Sequence, residues 1–140
     1  MTDTRSIDID SIVLQQPPFR FVHRLDSFSK EESIITFTPG DGNLLMENGC
    51  LSAAGLIEHM AQANAARIGY YCVYILKAPV DIGYIGQVKD FILHRLPLAG
   101  EQLTTTVTLK YEVFKVSLCD VVVRSGEEVL ASATLKTAIK

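Results

Sequence analysis

Basic runs, metal-type cysteine spacings and membrane-length apolar stretches are all missing from this chain, and each absence removes a class of function. The formal net charge is −3 and the pI about 5.5. With no clustered lysine or arginine, nucleic acid is not an expected partner. Cysteine is sparse and odd in number: Cys50, Cys72 and Cys119. Their separations do not match a metal site, and they read as reduced, partly buried thiols of a cytoplasmic protein. None has a partner base at useful spacing, so nucleophilic cysteine chemistry is not expected. No metal or cofactor is expected either. The most apolar run, residues 68–76, is stopped by Lys77 and Pro79 and is too short for a membrane span. Extending it backward brings in Arg67, His59 and Glu58, so a buried core helix is the better reading. Repeats, low-complexity stretches and linkers are absent. The polar, acidic residues 1–10 do not resemble a signal peptide.

What is present is a core. Hydrophobic residues make up 48% of the 140 and charged residues 21%, which suits one domain spanning residues 1–140. The decisive stretch is Gly55-Leu56-Ile57-Glu58-His59-Met60-Ala61-Gln62-Ala63-Asn64-Ala65-Ala66. It predicts a long helix of small residues, capped by Ser52 and running to about Leu76. A helix apolar on most sides is usually buried. A carboxylate on such a helix is costly unless paired, hydrogen-bonded or employed, so Glu58 demands an explanation.

Around this helix the pattern alternates. Residues 7–14 have the spacing of a short helix ended by Pro17-Pro18. Residues 19–28 predict a strand with Phe19, Phe21 and His23 on one face, and residues 33–38 a second, rich in β-branched side chains. A loop follows to about Cys50. After the helix come strands over 82–93, 103–111, 115–124 and 129–139. Two strands, a long helix and four strands imply an α+β fold in which a curved antiparallel sheet wraps the helix, the hotdog architecture. Such a sheet has an open edge, and pairing two edges hides it, so a dimer is expected.

Three segments resemble the 3-hydroxyacyl-[acyl-carrier-protein] dehydratases of fatty-acid synthesis. These are Leu14-Gln15-Gln16-Pro17-Pro18-Phe19-Arg20-Phe21-Val22-His23-Arg24, the helix run Leu56-Ile57-Glu58-His59-Met60-Ala61-Gln62-Ala63, and Tyr84-Ile85-Gly86-Gln87-Val88-Lys89 followed by Arg95, Pro97, Gly100, Glu101 and Gln102. The helix run is the most specific. One departure stands out. That family carries a glycine-histidine-phenylalanine-proline-glycine loop, whose histidine falls fourteen positions before the glutamate, on Leu44 here. The local run, Leu44-Leu45-Met46-Glu47-Asn48-Gly49-Cys50, holds no histidine. This pattern resembles the divergent dehydratase-like branch of aryl-polyene and flexirubin-type pigment biosynthesis.

The resemblance implies a thioester of a 3-hydroxy acid that loses water, carried by acyl carrier protein or coenzyme A. A histidine removes the C2 proton, the helix carboxylate handles the departing hydroxyl, and helix N-terminal N–H groups hold the thioester carbonyl. Glu58 takes the carboxylate's place. His23, on the first strand, is the candidate base, against the plainer role of a satisfied strand histidine. His59 points about 100° away from Glu58 around the helix and reads as an interface or surface residue. His94 reads as exposed. Glu47 is a substitute base or a solvated loop residue. The candidate substrate-binding set is Asn48, Gly49, Gly55 and Gln62. Asn48 would bind a thioester oxygen, and the glycines would admit a pantetheine arm. Gly55 equally suits close helix packing, and Gln62 either orients Glu58 or packs as a helix amide.

Three functions remain open: a dehydratase of 3-hydroxyacyl thioesters, a non-catalytic or half-catalytic acyl-binding subunit paired with a histidine-bearing paralogue, and an acyl thioesterase. The partner is accordingly a second copy or a paralogous hotdog chain.

Overall fold

A computed structural model of the chain describes residues 1–80 and 83–139. The elements in order are β1 (Thr2–Asp3), a 3-10 turn (Ile9–Ser11), β2 (Arg24–Phe28), β3 (Glu32–Phe37), β4 (Met46–Glu47), β5 (Cys50–Leu51) and α1 (Ala53–Tyr70). A π-helical turn (Tyr71–Ile75) follows, then β6 (Gly83–Leu93), β7 (Leu103–Val113), β8 (Val116–Ser125) and β9 (Glu128–Ile139). Seven strands form one antiparallel sheet in the order β1-β2-β3-β7-β8-β9-β6. The expected strand beginning at Ile82 starts at a residue outside the described ones.

The sheet wraps because α1 is apolar on more than one side. α1 touches β2, β3, β6, β7 and β8, strands from nearly the whole width of the sheet. Alternation supplies the inner face. Leu103, Thr105 and Val107 of β7, Cys119, Val121 and Val123 of β8, and Ala133 and Leu135 of β9 are buried, and their sequence neighbours are half-exposed or exposed. They close on Leu56, Met60, Ala63 and Ala66 of α1. A bulge between Val123 and Arg124 resets the phase, which lets Leu130 and Ala131 both be buried at the start of β9. Ser52 caps α1 by accepting a hydrogen bond from the Gly55 N–H at 3.1 Å, as its sequence position predicts. Among the described residues no helix is long and apolar enough to cross a membrane.

The structure departs from the sequence pattern in two places. Residues 7–14 make only the single 3-10 turn, with Ile12 and Val13 buried beyond it. The chain from Pro17 to His23 is not a strand, and Phe19 is exposed. The cause is competition for backbone hydrogen bonds. The carbonyl of Phe19 and both backbone groups of Phe21 are bound by side chains of α1, not by a neighbouring strand.

The N-terminal segment also depends on a residue without a side chain. A Cβ built on Gly69 would lie 2.0 Å from the Ile12 carbonyl oxygen, so the helix and the segment meet backbone to backbone there. Gly69→Ala is expected to cost about 1–3 kcal/mol by urea unfolding, because the obstruction is main chain. Gly86→Ala is the control. Its added Cβ meets only the Lys136 carbonyl at 3.7 Å, so its effect should stay within about 0.5 kcal/mol.

Candidate active site

Twelve of the 18 residues of α1 are buried. Those that are not include Ile57, Glu58, Ala61 and Ala65, which recur at three- and four-residue intervals and so form one stripe. A cavity of about 210 Å³ runs along this stripe. Its walls come from α1, from residues 12–15 of the N-terminal segment, and from Ile85 of β6 and Thr137 of β9. Apart from Glu58, Gln62 and Asn64 the helix wall is alanine and isoleucine. Small residues make the space, and Glu58 stands half-buried within it.

Gln62 holds Glu58 in place. Its Nε2 donates to Glu58 Oε1 at 2.9 Å and to the Phe19 carbonyl at 2.9 Å. Its Oε1 accepts from the Phe21 N–H at 2.6 Å. Both N–H donors and the carbonyl oxygen of the amide are thereby engaged, and the amide cannot turn over without breaking all three bonds. Gln62 is buried, so these bonds are made away from water. Of the two readings of Gln62, the structure shows the orienting one, and it adds a tie to the segment that walls the cavity.

The histidines are placed as follows. His59 is fully buried, with Nδ1 2.6 Å from the Phe21 carbonyl and Nε2 2.6 Å from the Thr105 hydroxyl. A carbonyl only accepts, so Nδ1 carries the proton and the Thr105 hydroxyl donates to Nε2. Burial pushes the His59 pKa down to about 4, against the opposing hydrogen bond to Phe21. Its ring stacks on Phe37, so it is a core residue and not the surface or interface residue its sequence position suggested. His23 lies against the other side of the same cluster, its ring 5.0 Å from that of Phe37. Its Nδ1 accepts from the Thr38 N–H at 3.0 Å, and burial, then the charge of Arg20, lowers its pKa. In that neutral state its lone pair is already used, and His23 is not among the residues that line the cavity. His94 is exposed.

The region before α1 is a small hairpin. Asn48 and Gly49 both have positive φ, 53° and 76°, and form the tight turn between β4 and β5. An asparagine-glycine pair is the preferred chemistry for such a turn. Glu47, Asn48 and Gly49 are exposed and do not line the cavity. Leu44, at the family histidine's place, is 43% exposed. Gly55 faces a packing contact: a Cβ there would lie 2.5 Å from Leu51 Cδ1. The structure thus brings together Glu58 and Gln62, and none of His23, Asn48, Gly49 and Gly55 is among the residues that line the cavity.

One group was not singled out by sequence reasoning. Arg95 binds both oxygens of Glu101 at 2.9 and 2.8 Å and reaches Glu128 at 2.9 Å. Glu101 also accepts from the Leu98 N–H. The loop so braced donates and accepts backbone bonds to the hairpin, Leu51 N–H to Pro97 and Ala99 N–H to Gly49. The brace therefore sets the position of the start of α1. Its only trace in the sequence is the spacing of Arg95, Pro97, Gly100 and Glu101.

The sequence matches the ApeP-like family, described as ApeP dehydratase, over residues 7–139. The chain belongs to the ApeP-like family. Among solved structures, the dehydratase heterocomplex ApeI:P from Xenorhabdus doucetiae superposes with a TM-score of 0.87 at 18% identity, covering 97% of this chain and 93% of that one. The smu.793 protein of Streptococcus mutans, bound to acetyl CoA, gives 0.64 at 16% identity over 86% and 89%. A hypothetical thioesterase with coenzyme A from Streptococcus pneumoniae gives 0.67 at 12% over 84% of each chain. These likenesses establish the hotdog fold for this ApeP-like chain. No curated protein matches it by sequence.

The buried imidazole makes stability depend on pH. His59 stays neutral when folded, while an unfolded histidine takes up a proton below about pH 6.5. Stability is therefore full above that value and falls as the pH drops toward 4, by about 3 kcal/mol in all. His23 shifts in the same direction and adds to the slope. Urea midpoints measured from pH 7.5 to pH 4 should show this fall. His59→Phe should flatten it while costing about 1–3 kcal/mol at pH 7.5, because the Phe21 carbonyl and Thr105 hydroxyl lose their partner.

Proposed function

We propose that this chain is the carboxylate-bearing subunit of a dehydratase acting on 3-hydroxyacyl thioesters carried by acyl carrier protein, completed by a second, histidine-bearing hotdog chain. One observation carries the reading. Glu58 is oriented by Gln62 in a cavity that has no histidine among its described lining residues. A dehydration needs a base for the C2 proton and an acid for the departing hydroxyl. Glu58 supplies the acid, and the leaving hydroxyl departs as water. The base comes from the partner. The first-turn N–H groups of Ala53 and Ala54 have no helical carbonyl to bond and suit the thioester oxygen as charge develops on it.

The exposed edge supports the pairing. β6 ends the sheet, paired to β9 on one side and to no strand of the described residues on the other, and Ile85, Val88, Ile92 and Leu93 on it are exposed. An open, apolar edge strand is a template for another chain. A partner seated there would roof the uncovered stripe of α1 beside Ile85. Two copies of this chain would bring two carboxylates and no cavity histidine. The name of the Xenorhabdus doucetiae assembly, a dehydratase heterocomplex, fits a pairing of unlike chains.

The test is reconstitution. The purified chain alone should not dehydrate a 3-hydroxyacyl thioester. Mixed with a hotdog dehydratase chain that keeps the glycine-histidine-phenylalanine loop, it should form a complex that does. Glu58→Gln in this chain should then lower the rate by on the order of a hundredfold or more. Full turnover by the Glu58→Gln complex would overturn the assignment. Release of free thiol in place of an enoyl product would mean hydrolysis.

A further inference from the structure

The cavity is not apolar throughout. At the end away from Glu58, it is lined by Asn64 and Thr137, and both side chains are buried. Asn64 Nδ2 donates to Thr137 Oγ1 at 3.0 Å, and Asn64 Oδ1 accepts from Arg67 Nε at 3.1 Å. Arg67 is itself 5% exposed, and among the described residues no carboxylate lies within ion-pair distance of it. Its other contact is the Cys119 sulfur at 3.5 Å. Beside Thr137 across the strands, the buried Ser117 hydroxyl finds no hydrogen bond of good geometry among the described residues.

This arrangement has a direction. A guanidinium can only donate, so it fixes the Asn64 carbonyl toward itself and the Asn64 amino group toward Thr137. Thr137 Oγ1 accepts that bond, which leaves its own O–H, and the second N–H of Asn64, to donate. Both residues line the cavity, so this part of it offers two N–H or O–H donors beside a single remaining hydroxyl lone pair. A buried cation without a counter-charge strengthens the donors, because low-dielectric surroundings screen it little. A plain alkyl chain lying here would leave those donors unpaired, at a cost of about 1–3 kcal/mol each. An acceptor oxygen would satisfy them.

We infer that Asn64 and Thr137, anchored by Arg67, select acyl chains that carry a hydrogen-bond-accepting oxygen far from the thioester. The inference rests on the proposal that the acyl chain runs from Glu58 along the stripe of α1. The six-residue separation of Glu58 and Asn64 sets the oxygen about 9 Å along the helix from the reacting end. The acceptor is a hydroxyl, carbonyl or carboxylate oxygen. The three are separated by comparing probes of each kind.

The experiment is binding, which does not require turnover. Acyl-pantetheine thioesters are titrated calorimetrically into the full chain and into its reconstituted complex. A length series of unsubstituted chains is compared with equal-length chains ending in hydroxyl, ketone or carboxylate. The expected result is a preference of on the order of tenfold for an oxygenated chain at one length. Thr137→Val should remove the preference and keep the affinity for the alkyl probe, and Asn64→Leu should do the same if the valine variant folds poorly. Glu58→Gln should abolish turnover and leave the preference intact, so this inference and the proposed reaction fail separately. Equal binding of oxygenated and alkyl probes at every length would overturn it. So would a preference that survives both variants, or failure of every probe to bind.

Discussion

The structure turns on the two side chains of α1 that capture the backbone of the Pro17–His23 segment. Gln62 takes the Phe19 carbonyl and the Phe21 N–H, and His59 takes the Phe21 carbonyl. A strand would have offered those groups a neighbouring strand. Here the helix offers side chains, and the segment lies along α1 and meets the sheet only at its end, where the His23 N–H donates to the Thr36 carbonyl of β3. The same Gln62 amide then fixes Glu58. Folding and site construction thus share one set of hydrogen bonds. The carboxylate is held only when the segment that walls the cavity is also in place.

The cavity owes its form to what the helix lacks on one side. Alanines at 61 and 65 leave room that larger residues would fill, and Gly69 lets the Ile12 backbone sit against the helix. Two elements are left without cover in the same neighbourhood, the stripe of α1 and the outer edge of β6. A sheet that wraps a helix completely would have neither. The incompleteness is a property of the fold, and it places the unsatisfied surface next to the only carboxylate on the helix.

Much of this was legible before the structure, for identifiable reasons. Strict alternation from Leu103 to Leu109 and the Ser52 cap are local signals, and both elements formed where expected. The resemblance carried by residues 56–63 located Glu58 and Gln62. The Phe19–His23 stretch misled because its alternation is real but its backbone partners are helix side chains, which no local pattern reports. Asn48-Gly49 also forms a turn at positive φ, a role the binding expectation did not include. His59 was misjudged because burial with two satisfied nitrogens depends on Phe21 and Thr105, both remote in sequence. The Arg95 brace and the Arg67–Asn64–Thr137 chain likewise join residues far apart, and only the folded chain shows them.

The two braces differ in what acid does to them. Glu101 is held by Arg95 with its pKa lowered to about 2, so the loop that seats the hairpin and the start of α1 keeps its ion pair in quite acidic solution. The buried His59 imidazole takes up its proton well before that, near pH 4. Acid therefore strains the core around His59 before it reaches the clamp at the helix start. Protonation leaves the Nδ1–H bond to the Phe21 carbonyl in place, but it puts a charge in the core and removes the lone pair to which the Thr105 hydroxyl donates.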